Sequence, residues 1–216
     1  MDLPAHYLDP VTLHEVFDDV PAAQAYLAEL ADSPDSDAPG TLAVRVPLTR
    51  ALAPEADDPE AELAEAERLG WLAVSLNGGP GDGAAAAHSH AAEVPLGAVA
   101  PLLRLAHVLQ WWHRFSEADL LFGLALEAAH YHGEHAASIE YARRLEFFAL
   151  QHWGKCRYDQ ALEVHAGQAR PFLGEALALF VRALEQRVEV NASPDEIATT
   201  RQAVRAARDR LAELGA

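Results

Sequence analysis

Nine of the eleven histidines lie between positions 88 and 165, and the densest group is His130-Tyr-His132-Gly-Glu-His135. Imidazole is the commonest protein ligand for transition metals, so an H-x-H-x-x-H run wrapped around a loop would suit a single ion. His130, His132 and His135 are therefore the candidate metal ligands. The opposing reading makes the run a polar turn between helices. Gly133 would then be the left-handed cap, and the imidazoles would bond the last helical carbonyls. Glu127 and His130 also spell one Glu-x-x-His, half of the pattern used by di-iron bundles. The sequence offers no second copy for the facing helix. The main reading expects no cofactor.

Two further groupings carry less. His152 and Cys156 are four apart, on one face if a helix spans them. A thiol beside an imidazole is the minimum for nucleophilic chemistry, and Lys155 would lower the thiol pKa. No third orienting residue or oxyanion donor is identifiable, and an inert buried cysteine is the ordinary alternative. Gly78-Gly-Pro-Gly-Asp-Gly83 lacks the Gly-Lys-Ser/Thr ending of a phosphate loop, and Pro80 removes an amide donor. That stretch reads as a linker.

The elements that must position these groups are mostly helical. Asp9-Pro10 supplies an N-cap acceptor and a first-position proline, predicting a helix through Val16 and Phe17, restarted at Pro21. Residues 33–40 are dense in turn formers. Leu42, Val44, Val46 and Leu48 alternate with Ala43 and Arg45, as in a half-buried strand, and Pro47 would confine it to an edge. Asp58-Pro59 opens another helix. The stripe Leu63, Ala66, Leu69, Ala73 and Leu76 favours carrying it to Asn77-Gly78, with a strand over 71–76 as the alternative. Residues 79–96 are Gly-, Ala- and His-rich and predict a mobile linker. Beyond them, helices are predicted at 97–113, 116–131, 135–155, 158–169, 172–190 and 194–214. Ser116-x-x-Asp119 and Ser193-Pro-Asp-Glu196 mark two starts. The domain division is thus 1–78, an acidic and mostly helical region; 79–96, the linker; and 97–216, the helical domain.

The net charge is −17, and it is uneven: residues 1–96 hold 18 acids and 3 bases, residues 97–216 hold 15 and 13. Neutralising phosphates needs a basic face, so nucleic-acid and anionic-membrane partners are disfavoured. No apolar run is long enough to span a bilayer, and no basic-then-apolar leader opens the chain. One cysteine excludes an internal disulfide and fits a cytoplasmic protein. Alanine abundance and fifteen arginines to one lysine point to GC-rich coding; a bacterial protein is the expectation.

Residues 102–165 contain one pattern twice, 43 positions apart. The first copy is Leu102, Leu105-Ala106, Leu109, Phe115, Ala118 and Phe122. The second is Leu145, Phe148-Ala149, His152, Tyr158, Ala161 and His165. This pattern resembles the tetratricopeptide repeat, in a long-helix, degenerate form. The period exceeds the usual ~34 residues and the closing proline is absent. The resemblance implies a mainly α fold of stacked antiparallel helix pairs. It makes Ala106 meet Ala118, and Ala149 meet Ala161, at tight crossings. The smaller acidic N-terminal region stays beside this array, with a short β-hairpin or β-α-β element left open inside it.

In that family the first helix of each pair lines a concave surface. The resemblance therefore assigns partner contacts to His107, Gln110 and Trp111 from the first pair, and to Arg143, Glu146, Leu150 and Trp153 from the second. The alternative places Trp111 and Trp153 in the core. The expectation is a non-enzymatic scaffold that binds a peptide or helix of another protein, with self-association also open. The competing class is a His-rich metal- or small-molecule-binding helical protein, possibly an enzyme. The acidic N-terminal segment is expected to fold back near Arg143, Arg144 and the last helix's arginines.

Overall fold

The computed structural model describes residues 6–31, 58–135 and 139–215. Their order is β1 (His6–Leu8), β2 (Glu15–Phe17), α1 (Val20–Ala31), α2 (Pro59–Leu76), α3 (Gly83–His88), α4 (Leu96–Trp111), α5 (Phe115–His135), α6 (Ile139–Glu163), α7 (Ala166–Glu189) and α8 (Pro194–Glu213). A 3₁₀ turn at Ala91–Glu93 precedes α4. The described residues are mainly helical, with stacked neighbouring helices and one small antiparallel sheet.

The predicted first helix is instead a hairpin. β1 pairs antiparallel with β2, Tyr7 opposite Val16. Asp9 does accept the amides of the next turn, from Thr12 at 2.7 Å and Val11 at 2.9 Å. Those two bonds hold its carboxyl below the ordinary value, the Thr12 amide most. An Asp-Pro start serves a tight loop as well as a helix, because both need a carboxylate over free amides. The loop closes through Asp9 N–H to the His14 carbonyl and Leu13 N–H to the Asp9 carbonyl. Helix α1 begins only at Val20.

α2 takes the longer of its two predicted forms. Asp58 caps it through the Ala61 amide, and it runs to Leu76, which removes the strand at 71–76 and with it the β-α-β element. The alternating residues 41–48 lie outside the described residues. The expected mobile linker is folded. Asp82 caps α3 through the Ala85 amide, and Ala86 and Val94 are buried in one cluster with Val74, Leu102 and Phe122.

From α4 onward the chain forms two hairpins, α4/α5 and α6/α7, and α8 returns against α7. α4 touches α6, and α6 touches α8. α5 and α7 approach each other less closely. The helices α4, α6 and α8 therefore form one layer of the array, called the inner layer below, and α5 and α7 the other.

The repeat register needs correction. α6 begins at Ile139, 43 positions after Leu96 of α4, so the echo holds for the first helix of each pair. α6 then continues to Glu163, where the sequence predicted separate helices at 135–155 and 158–169. Ala149 and Ala161 thus share one helix, about 18 Å apart along its axis. The position equivalent to Ala118 is Ala169 on α7, and Ala118-x3-Phe122-x2-Ala125 is matched by Ala169-x3-Leu173-x2-Ala176, 51 residues later. Ala161 and Ala169 lie in one buried cluster with Leu173 and Phe180. Ala106 and Ala118 are fully buried and share the other main cluster.

Gly154 explains why α6 does not break. A Cβ there would lie 2.6 Å from Phe180, so the glycine serves a close approach of α6 and α7 rather than a stop. Pro171 does not begin a new helix either; it sits one turn inside α7. Ser193 and Glu196 form the predicted capping box of α8. Ser116 lies within the first turn of α5, and Asp119 bonds elsewhere.

Candidate functional site

The N-terminal hairpin sits across all three inner helices. The His14 ring lies 4.1 Å from the Trp111 ring of α4. His14 Nε2 is 3.0 Å from an Asp159 carboxylate oxygen on α6. On α8, the Gln202 amide donates to the Leu8 carbonyl at 3.1 Å. Between these points Leu13 is fully buried among Tyr158, Leu173, Phe180 and Val204. Its φ is +59°. A leucine in that left-handed region costs on the order of 1–3 kcal/mol, which burying the side chain offsets by about 1.5–3 kcal/mol.

Three of the predicted contact residues belong to this seat. Gln110, 2% exposed, donates to Asp159 at 2.5 Å. Trp111 Nε1–H donates to His107 Nε2 at 3.2 Å. His107 in turn faces the His152 ring of α6 at 5.2 Å, and the Phe148 ring lies tilted beside His152 at 5.1 Å. Burial holds His152 well below its ordinary pKa, and the neighbouring His107 and the cations Lys155, Arg104 and Arg187 act in the same direction. α4, α6 and α7 thus bring imidazoles and cations together.

The other four predicted residues go elsewhere. Leu150 is fully buried in the main core and cannot meet a partner. Trp153 turns toward α5, where its Nε1–H donates to Asp119 at 2.7 Å. Asp119 also pairs with Arg157 at 2.8 Å, and Arg157 reaches Glu175 of α7. Glu146 is almost buried and accepts from Gln186 of α7 at 2.7 Å. Arg143 is exposed and lines two adjoining clefts of about 230 and 510 Å³ beside the α7–α8 turn. The 43-residue carry-over failed here because the two first helices differ in length and in the packing they meet.

The histidine run is helix, not a loop around an ion. Gly133 and His135 both lie within α5. His132 donates to the Val94 carbonyl, His135 to the Tyr131 carbonyl, and His130 leans toward Glu134 and Glu146. Successive side chains on a helix point about 100° apart, so His130, His132 and His135 diverge. Among the described residues no group of three or more His, Cys, Asp or Glu is placed to hold a metal ion.

Cys156 is also inert by placement. It is fully buried, and burial pushes its thiol pKa far up, with Asp119 and Asp159 adding to the rise. The expected help from Lys155 is not among the charges that act on it.

His14, Asp159, His152 and Gln202 were missed as contact residues. Asp159 and His152 lie seven apart on α6, a same-face spacing that was readable once that helix was taken as continuous. The hairpin residues carried no such signal. Compared with known family models, curated proteins and solved structures, the chain gives no match. Among the described residues no helix is long and apolar enough to cross a membrane.

Proposed function

We propose that this chain is a non-catalytic interaction scaffold, a degenerate tetratricopeptide-like array whose inner face holds a polypeptide segment of another protein. One observation carries the reading: a short hairpin of the chain itself already lies against α4, α6 and α8, through His14, Leu13 and the Leu8 carbonyl. A surface that binds backbone, ring and apolar side chain in cis has the chemistry to do so in trans. Aromatic and charged side chains at such a surface are the usual carriers of binding energy. Ala106 and Ala118 share one buried cluster and Ala161 and Ala169 the other, which is compatible with the small-residue crossings of such an array.

Comparative capture from the source cell tests this, using the full chain, Trp111→Ala, Asp159→Asn and an outer-layer Leu120→Ala control as baits. Each bait is first checked for unchanged helicity and melting. The expected result is a protein held by the full chain and the control but lost with both inner-face variants. Identical captured sets with all four baits would remove the reading.

A further inference from the structure

We propose that the hairpin of residues 6–17 is a built-in competitor on the inner layer, and that the partner segment it excludes carries an apolar residue followed directly by a lysine or arginine. This rests on the scaffold reading and names the partner's chemistry and what regulates its access. The hairpin is attached at few points. Leu13 fills an apolar seat among Tyr158, Leu173, Phe180 and Val204. His14, the next residue, reaches the Asp159 carboxylate at 3.0 Å and sets its ring against Trp111. The Leu8 carbonyl accepts from Gln202. Tyr7 and Val11, 51% and 62% exposed, lie on the open side of the hairpin.

Such an attachment is displaceable. A two-stranded hairpin with strands of three residues is marginal by itself. Its deepest contact is made by a leucine at φ +59°, so part of what burial contributes is lost to backbone strain. An incoming segment that sets an apolar side chain into the same seat from an extended backbone keeps the burial and avoids that strain. The seat does not depend on its occupant for shape. Tyr158 belongs to α6, Leu173 and Phe180 to α7 and Val204 to α8, and these helices pack directly on one another.

Asp159 decides the sign of the second contact. Its side chain is 14% exposed, and among the described residues the groups bonded to it are the His14 imidazole and the Gln110 carboxamide. His14 is charged only when protonated. A lysine or arginine in its place is charged throughout, and a charge-assisted bond to a carboxylate is about twice as strong as a neutral one. Of the cations beside Tyr158 and Asp159, Arg157 is paired with Asp119 and Glu175, Arg210 is paired with Glu213, and Lys155 is buried. The whole chain carries −17, so a basic segment is drawn toward it and an acidic one repelled. Apolar first and basic second follows from the chain order of Leu13 and His14.

The test is fluorescence anisotropy on the full-length chain with three labelled peptides that copy residues 6–17. The first carries His14→Arg, the second His14→Glu, and the third His14→Arg with Leu13→Ser. They are titrated with the unaltered chain, with Leu13→Ala, with the milder His14→Ala, and with His14→Ala/Asp159→Asn. The arginine peptide is expected to bind both single variants at least about tenfold tighter than the unaltered chain, because apparent affinity follows the fraction of open seats. On those variants the glutamate and serine peptides should each bind about tenfold or more weaker. Asp159→Asn should remove the preference for arginine over glutamate. Equal affinity for the unaltered chain and both loosened variants, no binding of the arginine peptide, or a preference that persists with Asp159→Asn would overturn the proposal. A dimer of the unaltered chain in light scattering, lost with His14→Ala, would overturn it in favour of a second copy's hairpin in the seat. If inner-face baits still lose their captured partner while no peptide binds the loosened variants, the scaffold reading survives and this chemistry does not.

Discussion

Cys156 and His152 sit four apart on α6, the spacing that suggested a nucleophile, and packing gives each a different fate. The thiol is fully buried with its pKa pushed far up, so it should resist a thiol-specific aromatic disulfide at pH 8 and react at once in denaturant. Rapid reaction in the native state would show the helix face to be open. His152 has the opposite shift, downward, caused first by burial and then by cations. The unfolded chain therefore takes up a proton near pH 6.5 that the folded chain refuses. Stability from this group is fully present above that pH and falls as the pH drops toward the folded pKa, by at most about 1.4 kcal/mol per unit. Urea unfolding at pH 7.0 and 5.5 should show the loss, and His152→Gln should reduce it. A substitution at Gly154 reads packing instead. The added Cβ of Gly154→Ala meets Phe180 at 2.6 Å, which predicts a loss of about 1–3 kcal/mol in the same assay.

Elements, rather than residues, show what the sequence could and could not convey. The inner helices α4 and α6 were legible because Leu102, Leu105 and Ala106 recur as Leu145, Phe148 and Ala149 at the same helical spacing. The outer helix of the second pair was misassigned because breaks were placed at 156–157 and 170–171, which lie inside α6 and α7. Gly154, beside the first, meets Phe180, and Pro171 lies a turn inside α7; neither role is visible without the neighbouring helix. The hairpin was illegible for a related reason. Asp9-Pro10 fits a helix start locally, and only the inner face provides the burial that favours Leu13 at φ +59°. The seat therefore holds the hairpin, not the reverse. Leu13→Ala and Trp111→Ala should each speed amide hydrogen exchange at residues 6–17, with little change in α5 and α7. Unchanged protection at 6–17 would mean that the hairpin does not depend on the inner helices.

At the scale of the molecule, the core runs across the expected division at 79–96. Val74 of α2, Ala86 of α3 and Val94 join Leu102 and Phe122 in one cluster. Leu63 and Ala66 meet Val108, with Trp111 packed alongside. Gly70 sits so close to Leu105 that a Cβ would be 2.8 Å from its Cδ1, which ties α2 tightly to α4. Composition had suggested a linker because glycine, alanine and proline favour loops in isolation. Here the small side chains let a short helix and a 3₁₀ turn lie flat on α5, next to the His132 contact with Val94. Two consequences separate this arrangement from two tethered domains. Limited proteolysis should spare 79–96, despite its composition, under conditions that cut exposed loops. A fragment of residues 97–216 should expose the surface that α2 covers, from Leu105 through Val108 to Trp111. It should bind a hydrophobic dye and melt well below the full chain, whereas a self-sufficient domain would keep the full chain's melting temperature. That outcome also bears on recognition, because Trp111 faces both α2 and the hairpin: the end of the inner face is built by the N-terminal half of the chain.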